Sequence, residues 1–183
     1  MINVFFDMDG VIAEWNEKAT LEDIFSEGYF RNVSPNKVTI NVLKKLFKKY
    51  VNTEPSQVRF FILSARYDDE SNEENRFEKD KRYFLSKYDI KFPVCFVSCG
   101  KSKKEVFDLY PFLNPKDYNL LFDDHTPNLV DWENNKNIGI KWLNKINGSN
   151  KSKYEGLCIP AYRMNETSIM IMIEGIINHY VNE

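Results

Sequence analysis

Two close pairs of acidic residues in this 183-residue sequence each directly follow an apolar run. Asp7 and Asp9 stand in the stretch Asp7-Met8-Asp9-Gly10, and Asp123 is next to Asp124. Carboxylate oxygens are the ligands that Mg2+ prefers, and carboxylates crowded into a partly dry pocket need a cation or a raised pKa. Gly10 permits the tight turn that would bring the first pair to one side. The pattern Asp-x-Asp-Gly alone is also typical of a calcium-like loop or a plain turn, but the four carboxylates together predict a Mg2+ site.

A hydroxyl group and several lysines follow two further apolar runs. Ser64 and Arg66 come after the second run, and Lys101 comes after the third, at the start of a predicted helix that also carries Lys103 and Lys104. Cations at a helix start oppose the macrodipole, so their presence there suggests a nearby anion. Lys101 is the closest of the three to the strand end, but Lys103 or Lys104 takes its place if the helix starts later. Ser64 and Lys101 are therefore predicted to bind a phosphate group.

The elements that must position these residues alternate between strands and helices. Near-continuous apolar runs predict strands covered on both faces at residues 3–6, 58–63, 94–97 and 118–122, with a weaker fifth at 138–142. Helical spacing predicts helices at 36–50, 73–88, 102–109 and 166–180, and the polar stretch 144–153 is predicted to be a loop. This order is typical of a three-layer α/β sandwich with a mostly parallel, doubly wound sheet. Ligands bind such sheets outside the carboxyl ends of the strands, which is where the polar motifs fall.

One segment interrupts this alternation. The connection from the first strand to the helix at 36–50 is too long for a simple turn, which predicts a small helical cap at residues 15–30 inserted after the first strand. Its aromatic residues either line a substrate, by stacking on a base or sugar, or pack the cap onto the core: they are Trp15, Phe25, Tyr29 and Phe30.

The composition excludes several classes of function. The chain has 25 Lys+Arg against 27 Asp+Glu, a net charge of -2, so it offers no broad basic field for bulk nucleic-acid binding. With two histidines, the cysteines Cys95, Cys99 and Cys158 do not make a zinc pattern. The apolar runs are too short for a membrane span, and the start of the chain lacks the pattern of a signal peptide. We expect a reduced, cytoplasmic protein with one domain over 1–183.

The polar motifs, in their order along the chain, resemble those of the haloacid dehalogenase superfamily of phosphatases. The motif residues are Asp7-Met8-Asp9-Gly10-Val11, Ser64, Lys101 and Asp123-Asp124. Within the superfamily the chain is most similar to the 5'(3')-deoxyribonucleotidase branch, through the stretches Phe6 to Ala13, Gly28 to Asn32, Ile62 to Arg66 and Leu121 to Asp124. The resemblance covers roughly residues 2 to 143, and it implies the Rossmann-like fold of that superfamily.

The resemblance also implies roles for these residues. Asp7 would be the nucleophile that forms an aspartyl-phosphate, and Asp9 would protonate the leaving group and then activate water. Ser64, with its neighbour Ala65, and Lys101 would bind the phosphoryl group. Mg2+ would be held by Asp7, the main-chain carbonyl of Asp9 and a carboxylate of Asp123 or Asp124. The cap departs from the branch, because residues 15–30 are fewer than the larger helical cap of the relatives, which encloses the base.

These observations lead to a Mg2+-dependent phosphomonoesterase with a small phosphorylated substrate, a (deoxy)nucleoside monophosphate. Alternatives are another small phosphate ester and the 3'-phosphate ends of nucleic acids, although the near-neutral charge argues against the latter. A non-catalytic phospho-acceptor of the receiver type also has an acidic Mg2+ pocket with Ser/Thr and Lys. Receivers place these groups in a different order along the chain, which disfavours that reading. The sequence assigns no role to His125, and Arg66 is placed only on the rim, as a residue that lines the substrate.

Overall fold

A parallel sheet of six strands forms the centre of the protein. The computed structural model describes residues 1–51, 57–68, 75–146 and 154–182. The strands are β1 (Ile2–Phe6), β2 (Val58–Arg66), β3 (Val94–Ser98), β4 (Tyr118–Asp123), β5 (Asn137–Trp142) and β6 (Leu157–Ile159). Their order is β3-β2-β1-β4-β5-β6, and each neighbouring pair is parallel. The predicted α/β class and doubly wound sheet are confirmed.

Helices connect the strands and cover the sheet. They are α1 (Leu21–Phe25), α2 (Tyr29–Asn32), α3 (Lys37–Val51), α4 (Arg76–Lys87), α5 (Val106–Leu109), α6 (Thr126–Trp132) and α7 (Glu166–Val181). Two 3₁₀ turns, Lys103–Glu105 and Ala161–Arg163, precede α5 and α7. None of the helices within the described ranges is long and apolar enough to cross a membrane.

The structure refines three of the predicted elements and adds two that were not predicted. Asn75 caps α4 by accepting from the backbone N–H groups of Phe77 and Glu78, while residues 73 and 74 of the predicted helix lie outside the described residues. The predicted helix at 102–109 is a 3₁₀ turn followed by one α-turn. Of the predicted loop, 144–146 contain no helix or strand, and 147–153 lie outside the described residues. Finally, α6 and β6 were not predicted, because seven and three residues are too few to show a clear hydrophobic period.

Alternate residues of the strands enter two separate cores, one on each face of the sheet. Val4 and Phe6 of β1 pack with Leu43 of α3 and Ile173 of α7. On the other face, a second cluster joins central strand residues to the covering helices: Phe5, Phe61, Leu121, Val106 and Trp132. Burial of both faces explains why the strands read as continuous apolar runs. It also confirms the three-layer arrangement.

The strand order reverses at β1, which has β2 on one side and β4 on the other. The register pairs Phe6 with Ile62 of β2 and with Phe122 of β4. Asp7, the first residue after β1, and Asp123, the last residue of β4, therefore lie side by side. Because parallel sheets bind ligands at such a reversal point, this edge is where a site is expected.

The segment at 15–30 contains α1 and the start of α2, between β1 and α3. Thr20 caps α1 through a capping box with Asp23. Ile24 and Phe30 then pack on Phe77 of α4. Arg31 forms an ion pair with the buried Asp80 of α4, which holds the segment against that helix.

Candidate active site

Asp7 and Asp123 form the floor of the candidate site. Both are buried, with 6% and 0% of their surface exposed. The Asp7 N–H donates to the carbonyl of Phe122 at 2.9 Å, which fixes the exit of β1 beside β4. Both oxygens of Asp123 accept hydrogen bonds, Oδ1 from the His125 N–H at 2.7 Å and Oδ2 from Asn128 Nδ2 at 2.9 Å. The orientation of the Asp123 carboxylate is therefore set by α6.

The chain turns sharply at Gly10, where it meets Asp124. Gly10 has φ +80°, and a Cβ at this position would lie 2.2 Å from Oδ2 of Asp124. Only glycine combines this backbone conformation with such a close approach. Asn144 Nδ2 then donates to the Gly10 carbonyl and to Asp124 Oδ2, each at 2.9 Å, while Lys141 Nζ donates to the Asp124 carbonyl. These contacts hold the second acidic pair against the turn that carries the first.

Lys103, not Lys101, is the lysine that reaches the acidic floor. Its Nζ lies 2.8 Å from Asp7 Oδ1 and 2.6 Å from Asp123 Oδ2, and the side chain is buried. Lys101 is exposed, before the 3₁₀ turn that begins at Lys103. The choice of Lys101 is thus corrected to Lys103, the alternative for a helix that starts later: the 3₁₀ turn begins at Lys103, one residue after the predicted start, and its ammonium contacts Asp7 and Asp123.

Lys81 is a second buried lysine, and sequence reasoning missed it. It lies on α4, and its Nζ donates to Asp9 Oδ2, to Ser64 Oγ at 2.9 Å and to the Ala65 carbonyl at 2.7 Å. The ammonium also lies 4.5 Å from the centre of the Phe30 ring. Lys81 occupies one position among the charged residues of α4, where a lysine usually faces solvent, so the sequence carries no signal that separates it from its neighbours. Sequence reasoning also missed Lys141, in β5, and Asn144, which follows that strand.

The acidic groups of the site strongly affect each other's ionisation. Burial, with the charges of Asp123 and Asp9, raises the pKa of Asp7 to about 8, although Lys103 opposes the shift. Burial and the charge of Asp123 likewise raise the pKa of Asp124 to about 7. Burial alone would lower the pKa of Lys103, but the charges of Asp123 and Asp7 outweigh burial and raise it. The acidic side chains of the site therefore carry more negative charge than its lysines neutralise.

These carboxylates fit a divalent cation. One oxygen from each of Asp7, Asp123 and Asp124 lies within 4.8 Å of the others. Asp7 and Asp123 are buried and Asp124 is half-buried, and burial with a neighbouring acid raises the pKa of Asp7 and of Asp124. This all-oxygen set suits Mg2+, because the ion would favour the charged forms. Asp9 lies apart from this group, since its side chain is paired with Lys81.

The remaining predicted phosphate-binding residues lie at the end of β2. Ser64 is buried, with Oγ on Lys81, and the neighbouring Ala65 offers its carbonyl to the same lysine. Arg66 lies at the rim, where it pairs with Asp68 at 3.2 Å and with Glu78 at 2.8 Å. His125 is exposed and serves as the N-cap residue of α6.

Of the four aromatic residues predicted to line a substrate, three contact other aromatic rings. Phe30 is buried beside Phe77, and Tyr29 packs on Phe30 with ring centres 5.0 Å apart. Phe25 is 40% exposed but rests on Tyr67, at 4.8 Å. Trp15 is 36% exposed, in the segment just before α1. Packing therefore accounts for Phe30, while Trp15 presents its ring to solvent.

The sequence matches no protein-family model, and it matches no curated protein. Among solved structures, the chain is similar to the D,D-heptose 1.7-bisphosphate phosphatase from B. bronchiseptica, solved with magnesium and phosphate. The TM-score is 0.60 at 8% identity, and the match covers 96% of this chain and 99% of that one. A chain from the structure of a Pnkp1/Rnl/Hen1 complex matches with a TM-score of 0.54 at 19% identity. That match covers 76% of this chain but only 44% of the other, so this chain spans less than half of that protein's length.

At these identities the likeness is one of fold. The chain shares a parallel α/β fold with a bisphosphate phosphatase, in agreement with the fold that the resemblance to the haloacid dehalogenase superfamily implies. Its own site combines that fold with two acidic pairs, a buried hydroxyl and three buried lysines, Lys81, Lys103 and Lys141, at the reversal point of the sheet.

Proposed function

We propose that this protein is a Mg2+-dependent phosphomonoesterase that acts through an aspartyl-phosphate on Asp7. The observation that carries the proposal is the contact of Lys103 with Asp7, 2.8 Å away, within a cluster of three acidic residues able to hold a cation. A carboxylate that attacks a phosphate dianion meets strong repulsion, and nearby positive charge reduces that repulsion. The likeness in fold to a bisphosphate phosphatase supports the same class of reaction.

The metal would be held by Asp7 and Asp124, with the main-chain carbonyl of Asp9. Asp123 is better suited to orient Lys103, because both of its oxygens already accept hydrogen bonds from α6 and Lys103. When bound, Mg2+ would neutralise charge on the phosphate oxygens and keep Asp7 ionised. Lys103 would contact the same phosphoryl group from the other side of the Asp7 carboxylate.

The reaction would proceed in two displacements. An oxygen of Asp7 attacks phosphorus while the bond from phosphorus to the ester oxygen breaks, and Asp9 gives a proton to the departing alkoxide. Water then attacks the aspartyl-phosphate, Asp9 takes its proton, and phosphate leaves with Asp7 restored. Lys81 would hold Asp9 and Ser64 in place, since its ammonium contacts both side chains. Ser64 Oγ would donate to a phosphate oxygen.

The substrate we propose is a nucleoside monophosphate, as the resemblance to deoxyribonucleotidases implies. The segment at 15–30 would act as a short cap over it, with Trp15 as its exposed ring. The chain has a net charge of -2, which favours a small phosphate ester over a long polynucleotide.

Phosphate release from a panel of esters tests the function. We expect Mg2+-dependent release with the wild-type chain and a loss of at least about 10³-fold in Asp7→Asn, which keeps the shape but removes the nucleophile. Asp108→Asn is the matched control, since Asp108 is exposed on α5. Folded protein without Mg2+-dependent turnover on any ester would contradict the proposal. Turnover restricted to 3'-phosphorylated oligonucleotides would keep the chemistry and replace the substrate.

A further inference from the structure

A cavity of about 460 Å³ lies beside the acidic cluster, on the side of Asp124. Gly10 and Asn144 form part of its wall, and both contact Asp124: Asn144 Nδ2 lies 2.9 Å from Oδ2, and the α-carbon of Gly10 packs against the carboxylate. The cavity therefore begins at two residues that contact Asp124, one of the proposed metal ligands. Its volume is within the range of pockets that bind small organic molecules.

Two partly exposed aromatic residues line this cavity. Trp15 comes from the segment after β1, and Tyr162 comes from the 3₁₀ turn after β6. Each has 36% of its surface exposed. In contrast, Phe25, Tyr29 and Phe30 pack on the aromatic side chains of their own segment and of α4. Trp15 is thus the aromatic residue of the segment at 15–30 that faces this cavity.

The polar residues of the wall suit a ring that also carries an anion. Asn36 provides amide N–H donors for the edge of a ring, while its Oδ1 accepts from the Thr39 N–H at 3.2 Å. Lys145 lies 4.0 Å from Glu14, so these two charges offset each other, and Lys37 adds a positive charge to the wall. Apolar contact is supplied by Val38, Ile146 and Met164. Aromatic faces, amide groups and a net positive charge match a nucleobase attached to a phosphate.

We propose that this cavity binds the base of a nucleoside monophosphate, in contact with both Trp15 and Tyr162, while the phosphate lies on Asp7. The proposal rests on the function proposed above and specifies where the base of its substrate binds. It differs from a base held by the rings of the cap, because the cavity lies between the turn at Gly10, the start of α3 and the residues after β5 and β6.

Tryptophan fluorescence measures binding without any turnover. Trp132 and Trp142 are fully buried, so acrylamide quenching of the folded chain reports on Trp15. In the Asp7→Asn chain with Mg2+, which leaves the ester intact, adenosine or thymidine 5'-monophosphate should protect Trp15 from acrylamide. Glycerol 2-phosphate, which has the phosphate but no ring, should not. The proposal is wrong if both compounds protect equally, or if the nucleotides fail to protect at about 10 mM, well above usual KM values.

Substitution of the second ring provides a matched comparison. Tyr162→Leu should raise the nucleotide concentration that gives half-protection by about tenfold, because stacking on an aromatic side chain contributes about 5- to 150-fold in affinity per base. Tyr83→Leu is the control, since Tyr83 is 53% exposed on α4 and lies outside the cavity. Unchanged half-protection in Tyr162→Leu would overturn the proposal.

A kinetic ratio separates failure of the cavity from failure of the function. We expect the ratio of kcat/KM for the nucleotide to kcat/KM for glycerol 2-phosphate to fall about tenfold in Tyr162→Leu and to stay constant in Tyr83→Leu. A chain that hydrolyses both esters with the same ratio in all variants is a phosphatase whose base does not bind here. A chain that hydrolyses neither contradicts the proposed function, and the protection experiment then decides about the cavity alone.

Discussion

Lys81 and Lys103 bring positive charge to the site from two different elements. Lys103 contacts Asp7 and Asp123, whereas Lys81 contacts Asp9. Lys141 adds a third positive charge, because its Nζ donates to the Asp124 carbonyl. The four acidic side chains of the site still outnumber these three lysines, and a divalent cation would offset the remaining negative charge, in agreement with the raised pKa values of Asp7 and Asp124.

The two lysines considered for phosphate binding, Lys103 and Lys101, should differ in their effect on activity. Lys103→Met should lower kcat/KM for phosphate release by about 10² to 10³-fold, since it removes a charge placed against the reacting carboxylate. Lys101→Met should change it less than about twofold, because an exposed charge two residues away is screened by water. Steady-state kinetics on one ester with both variants checks this. A larger loss in Lys101→Met than in Lys103→Met would restore the original sequence prediction.

A second prediction concerns Lys81 as a positioning residue for Asp9. Lys81→Met should lower kcat by about 10²-fold, the usual contribution of a positioned acid, and should change the pH profile of kcat. Lys79→Met is the control, because Lys79 is exposed on the same helix. Melting temperatures of both variants separate misfolding from mispositioning. An unaltered pH profile in a folded Lys81→Met chain would show that Lys81 does not act through Asp9.

Between elements, a row of polar side chains crosses the buried sheet from β2 to β5. Arg59 Nε donates to Asn3 Oδ1 at 2.9 Å, Asn3 Nδ2 donates to Asn119 Oδ1 at 2.8 Å, and Asn119 Nδ2 donates to Asn137 Oδ1 at 3.0 Å. The four residues are paired in register across neighbouring strands. A one-residue slip would leave these buried amides unpaired, so the row favours the register that places Asp7 beside Asp123.

Replacement of Asn119 tests this row. Asn119→Leu should lower the free energy of unfolding by about 2 to 4 kcal/mol, because the buried Asn3 Nδ2 and Asn137 Oδ1 each lose their hydrogen bond to Asn119. The double variant Asn3→Leu/Asn119→Leu should cost less than the sum of the two single variants, since both partners of one bond are removed together. Urea denaturation of the single and double variants measures both quantities. Additive losses would mean that the amides act independently.

The sequence predicts the elements well where burial leaves a clear pattern. β1 to β4 are apolar because both faces are covered, and the acidic pairs were found because each follows such a strand. To select Lys103 from the sequence, the start of the helical turn must be known to within two residues, and local sequence does not determine it that closely. Lys81 reaches the site only through the packing of α4 on β2, so its role depends on tertiary structure.

The net charge of -2 does not show how unevenly the charged side chains are distributed over the protein. The lysines along α3 pair with acids of α7, as Lys45 does with Glu166 at 2.5 Å and Lys49 with Glu174 at 2.7 Å. The acids at the carboxyl end of the sheet are instead buried and only partly neutralised. Like charges held together in a buried site oppose folding, so the conformation that serves the proposed reaction costs stability in the absence of a cation.

Mg2+ should therefore stabilise the entire fold. At about 100 times its Kd, a ligand that binds only the native state adds about 2.7 kcal/mol, which for a chain of this size raises the melting temperature by about 5 to 10 °C. Asp124→Asn should melt at a higher temperature than the wild type in EDTA, since one buried carboxylate is gone, and should gain much less from Mg2+. Asp108→Asn, with its exposed acid, should respond as the wild type does. Thermal unfolding at constant ionic strength, held with NaCl, excludes general screening as the cause. If NaCl alone raised the melting temperature as much as Mg2+, or if Asp124→Asn gained as much as the wild type, the acidic cluster would not be a metal site.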